Sequence, residues 1–62
     1  MITRTFAERY RDSYEEGLAV EEYVDFYKDC QRSAPEDEEF AALTEEELIE
    51  LAKMVIEINE EG

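Results

Sequence analysis

Cys30 is the only cysteine in this 62-residue chain, and the chain has no histidine. Neither an internal disulfide nor a cysteine–histidine zinc site can therefore staple the fold. The length allows one domain, because domains usually run to roughly 100–200 residues. A chain of this size buries only about 60% of the surface that its unfolded form exposes. Packing alone, or packing against a second copy, has to stabilise it. Apolar residues make up 44% of the sequence and recur at regular intervals, which argues against disorder.

The recurrence has a helical period. Thr5-Phe6-Ala7-Glu8 reads as a capping box opening the first helix, in which threonine and glutamate satisfy free amides reciprocally. Phe6, Tyr10 and Tyr14 continue it as one aromatic stripe, and Gly17 is placed to end it in a left-handed conformation. The second helix is predicted from Ala19 to Arg32, with Val20, Tyr23, Val24, Tyr27 and Cys30 on one face and Phe26 at its margin. A strand over Tyr23–Tyr27 would need an alternating pattern, which is missing. Ser33, Pro35 and Glu36 predict the start of a short third helix carrying Phe40, Ala41 and Leu43. Thr44 with Glu47 forms another box and opens the last helix, whose stripe is Leu48, Leu51, Ala52 and Val55.

The expected fold is all-α, a compact bundle of three to four short helices. Its expected core is Phe6, Tyr10, Tyr14, Val20, Tyr23, Val24, Tyr27, Phe40, Leu48, Leu51, Val55 and Ile58. Ile49, Met54 and Ile56 widen the apolar face of the last helix. They either complete the core or form an exposed patch that favours a dimer, so both monomer and homodimer fit the sequence.

Catalytic chemistry has little to work with. Without histidine there is no ordinary general base, and Cys30, Ser13 and Ser33 have no partner that would activate them. The run Glu36-Asp37-Glu38-Glu39 lacks the alternating ligands and central glycine of a calcium loop. Gly17 and Gly62 are the only glycines, so no phosphate-binding loop is present. Catalytic residues, metal ligands and cofactor are all expected to be none. Asp12-Ser13 is similar to the Asp-Ser-Leu site at which small acidic carrier proteins bear a phosphopantetheine arm. Here Tyr14 takes the third position and the long helix and loop that precede the site in carriers are missing, so Ser13 reads as an exposed helical serine.

The opening Met1-Ile2-Thr3-Arg4-Thr5-Phe6 has no apolar run of the signal-peptide kind, and no segment approaches the ~20 apolar residues of a membrane span. A soluble protein in a reducing, cytoplasmic compartment is expected, because small secreted domains generally carry an even set of cysteines.

Charge is the remaining signal. The chain carries a formal net charge of −13, which argues against direct contact with nucleic acid or anionic lipid and for a basic partner. Eight acids face five bases over residues 1–32, whereas eleven acids face Lys53 alone over residues 33–62. Acids in the first turn of a helix complement its dipole, which accounts for Glu36, Glu45, Glu46 and Glu47. It does not account for Asp37, Glu38, Glu39 and Glu50, nor for Glu57, Glu60 and Glu61 near a C-terminus, where the dipole disfavours acid.

Duplex DNA carries one charge per ~1.7 Å of axis and an α-helix rises ~1.5 Å per residue, so rows of carboxylates can approach phosphate spacing. In size, charge and lack of catalytic residues the chain resembles the small acidic inhibitors encoded by phages and mobile elements, including anti-CRISPR and anti-restriction proteins, some of which imitate DNA. That resemblance implies a non-catalytic protein that occludes a basic nucleic-acid-binding surface of a partner protein or complex. The residues expected to meet that partner are Glu21, Glu22, Asp25, Asp29, Asp37, Glu38, Glu39, Glu46, Glu50 and Glu57. The alternative is a small cytoplasmic adaptor or regulatory subunit whose charge serves solubility.

Overall fold

Thr3, rather than Thr5, starts the first helix: its hydroxyl accepts the Phe6 N–H at 3.1 Å, and α1 spans Arg4–Glu8. The computed structural model describes residues 1–33 and 37–61. The expected continuous helix from Thr5 toward Gly17 is not formed. The backbone leaves the helical region at Tyr10 (φ −112°, ψ 11°) and tightens into a 3₁₀ turn at Arg11–Ser13. Tertiary bonds override the helical aromatic stripe at this point. The Tyr10 hydroxyl donates to Asp37 Oδ2 at 2.7 Å, and Ser13 Oγ lies 2.6 Å from the Tyr10 carbonyl and 2.8 Å from the Tyr27 hydroxyl. Gly17 does take the left-handed conformation (φ +90°), but in the turn that leads into the next helix.

That helix, α2, spans Val20–Arg32. Ala19 has no side-chain oxygen to cap it, and the Glu22 carboxylate supplies half of a box by accepting the Ala19 N–H at 3.2 Å. Ser33 closes α2 rather than opening the next helix, its hydroxyl donating to the Asp29 carbonyl at 3.0 Å. Pro35 and Glu36, the other residues expected to open a third helix, lie outside the described residues. The cap of the short helix α3, Glu38–Ala41, is Asp37, whose Oδ1 accepts the Glu39 N–H at 3.0 Å. The last helix, α4, spans Glu45–Glu61 and opens as expected. Thr44 Oγ1 accepts the Glu47 N–H at 3.3 Å while Glu47 Oε1 accepts the Thr44 N–H at 3.0 Å.

The molecule is an all-α bundle organised around α4, against which α1, the 3₁₀ turn and α2 all pack. Its radius of gyration is 10.7 Å, close to the roughly 10.6 Å of a compact domain this long. Tyr23, Tyr27, Leu48, Leu51 and Val55 are fully buried at its centre. Phe6, Val24 and Phe40 join them as expected, whereas Tyr10, Tyr14, Val20 and Ile58 stay half-buried at the core's edge. Ile2, Ala7 and Ala52 are core residues that hydrophobic bulk alone does not single out. Ile49, Met54 and Ile56 are packed partly against the core and do not make the exposed patch that the sequence allowed. The large apolar side chains left exposed are those of Met1 and Phe26.

Two polar devices hold the elements in register. Gln31 Nε2 donates to the carbonyls of Phe40, at 2.8 Å, and Leu43, at 3.1 Å, which closes the C-terminus of α3 from the side of α2. Glu50 accepts the Ile2 N–H at 3.2 Å and Asn59 donates to the Arg11 carbonyl at 3.1 Å, fixing the N-terminal segment along α4.

Candidate functional site

At about 100° per residue, Glu21, Glu22, Asp25 and Asp29 fall on the arc of α2 opposite Tyr23, Val24 and Tyr27, and all four are exposed. Phe26 lies on the border of that arc, beside Glu22 and Asp29. Beyond it the surface dips into a groove between α2 and α3, with Tyr10, Tyr27, Cys30 and Phe40 as its apolar lining and Asp29, Asp37, Glu38 and Glu39 around it. The rings are mutually packed. Tyr10 stacks on Phe40 with centroids 5.0 Å apart, Tyr27 meets Phe40 edge-on at 5.8 Å, and Phe26 leans on Tyr27 at 5.8 Å.

The carboxylates around this groove are not equivalent. Asp37 is tied into the fold by the Tyr10 hydroxyl, by the guanidinium of Arg9 at 2.6 Å and by the N–H of Glu39. The Tyr10 hydrogen bond, followed by the Glu39 amide and Arg9, holds the Asp37 carboxyl below its ordinary range. Burial and the facing Asp37 charge push the Tyr10 phenol up to about 12. Asp29 is paired only with its helical neighbour Arg32, at 3.3 Å on the exposed surface. Glu38 and Glu39 have no side-chain partner among the described residues.

The other expected contact residues lie elsewhere. Glu21 and Asp25 border a shallower depression between α2 and α4, where Lys53 and the Lys28–Glu45 ion pair (3.0 Å) moderate the negative charge. Glu46, Glu50 and Glu57 are on the outer face of α4, with Glu50 partly engaged by the Ile2 amide. The ten carboxylates thus occupy three surfaces, of which the α2–α3 groove alone combines unpaired acid with exposed aromatic surface. Phe26 is the contributor that charge counting missed. The helical wheel held the signal, because Phe26 falls outside the buried arc of α2.

Ser13 is half-buried in the 3₁₀ turn, not an exposed helical serine as expected. Its hydroxyl hydrogen is directed to the Tyr10 carbonyl, which makes Tyr27 the donor in the Ser13–Tyr27 bond. Among the described residues no helix is long and apolar enough to cross a membrane, and no group of three or more acidic or cysteine side chains converges on a cation site. No family model matches the sequence, and no curated protein or solved structure matches it.

Proposed function

We propose that this is a non-catalytic binding protein that covers a basic, nucleic-acid-binding surface of a partner protein, acting in a reducing, cytoplasmic compartment. The observation that carries the reading is the α2–α3 groove, where exposed Phe26 adjoins Asp29, Glu38 and Glu39. Exposed aromatic anchors dominate the energy of typical interfaces, while surrounding charges steer association and select the partner's sign. Glu46 and Glu57 on α4 extend the negative field beyond the groove. An inhibitor of a host defence complex, of the anti-CRISPR or anti-restriction kind, is one protein that such a surface would serve.

The test is capture of partners on the immobilised protein followed by elution with duplex DNA at constant ionic strength. The reading expects a nucleic-acid-binding protein that DNA displaces, with affinity that falls as salt rises. A captured partner that DNA leaves in place would favour the adaptor reading instead.

A further inference from the structure

Large exposed apolar side chains are scarce on this surface, and Phe26 is half-exposed (51%) on a helix whose neighbouring outward positions are acidic. Exposure of an aromatic ring costs solvation that a charged side chain there would avoid. The ring also sits at the mouth of a groove with an apolar lining, where Tyr27, Cys30 and Phe40 leave room beside it. Four carboxylates and one guanidinium border that groove, and the guanidinium, that of Arg9, is neutralised by Asp37. A second copy of this chain is a poor occupant, because two molecules of net charge −13 would bring like charges together around the contact.

We infer that the α2–α3 groove seats one large apolar side chain carried by a lysine- or arginine-rich peptide segment of the partner, with Phe26 as its anchor. The inference rests on the binding function proposed above and assigns its energetic centre. The incoming side chain packs against Phe26 and the edge of Tyr27. The flanking cations meet Glu38, Glu39 and Asp29, whose neighbour Arg32 is exposed and free to swing aside.

The chain has no tryptophan, so a tryptophan in a probe peptide reports on its own surroundings. The experiment titrates the full chain into a short lysine–alanine peptide with one central tryptophan, and into the same peptide with alanine there. The expected result is a saturable blue shift of the tryptophan emission, slower alkylation of Cys30 in the complex, and weaker binding of the alanine peptide. Phe26→Ala should weaken the tryptophan peptide roughly tenfold or more and leave the alanine peptide nearly unchanged. Glu38→Lys with Glu39→Lys should weaken both. Equal binding of the two peptides, or a Phe26→Ala protein that binds the tryptophan peptide like the parent, overturns the groove assignment but leaves an electrostatic binding protein. Failure of both peptides to bind sinks the two readings together. If Phe26→Ala loses its helical spectrum, the Cys30 alkylation rate in the parent protein decides, since a peptide bound elsewhere leaves that rate unaltered.

Discussion

The aromatic layer around α1 and α2 and the outer face of α4 are both rich in polar groups, yet they stand in opposite relation to the fold. In the first, nearly every polar atom is committed: the Tyr23 hydroxyl exchanges hydrogen bonds with the backbone of Glu15 (both 2.9 Å), Tyr27 with Ser13, and Tyr10 with Asp37. On the second, Glu46 and Glu57 meet no partner among the described residues. Polar groups of the first kind hold the structure in one arrangement, and those of the second leave it unaffected and remain available to another molecule. Net charge does not distinguish them, but the hydrogen-bond partners do.

Removing the tethers should give the largest effect. Tyr23→Phe strips both the N–H and the carbonyl of Glu15 of their partner next to a fully buried ring. It should lower stability by about 1–3 kcal/mol, read from the urea midpoint. A loss no greater than that of a surface substitution would break the contrast between the two regions.

The second effect is one of pH. Asp37 has a folded-state pKa below its ordinary 3.8, so its contribution is complete above that value and is lost as pH falls through the folded pKa. Tyr10 is raised instead, so its contribution is complete below its ordinary 10.0 and is lost as pH climbs toward about 12. Asp37→Asn should therefore flatten the acid limb of a Tm-against-pH profile and Tyr10→Phe the alkaline limb. Unchanged limbs in both variants would mean that the pair does not hold α3 to the 3₁₀ turn.

The smallest effect is expected on α4. Glu46→Gln combined with Glu57→Gln should leave Tm unchanged or slightly raised, with any gain shrinking as salt is added, because only repulsion is relieved. A clear fall in Tm would show that these carboxylates serve the fold after all.

The parts of this structure that were legible in the sequence are those set by local rules. α4 announced itself through Thr44 and Glu47, which lie three residues apart and satisfy each other in the folded chain, followed by the unbroken stripe Leu48, Leu51 and Val55. α2 was legible from its two-faced pattern. The first helix was not, because Thr3 and Thr5 are rival caps with similar local credentials, and because the bonds that end it come from residues far along the chain. Arg9 and Tyr10 reach Asp37 across 28 and 27 positions. No local pattern announces such a pairing, so Asp37 read as spare charge when it is a cap and a tether. Glu38 and Glu39, next to it in sequence, kept the exposed role that their composition suggested.

The bonds along α4 also impose an order in time. Ile2 is held by Glu50, Arg11 by Asn59, each across 48 positions, and Arg4 by Glu61 across 57. Loops of this length close slowly compared with the turns of a helix. During synthesis the segment from Ile2 to Arg11 is therefore made first and docked last, and Phe6 and Ala7 wait exposed until α4 has formed. The acids of the nascent chain keep such waiting chains apart from one another through like-charge repulsion, a service to folding that ends once the bundle has closed.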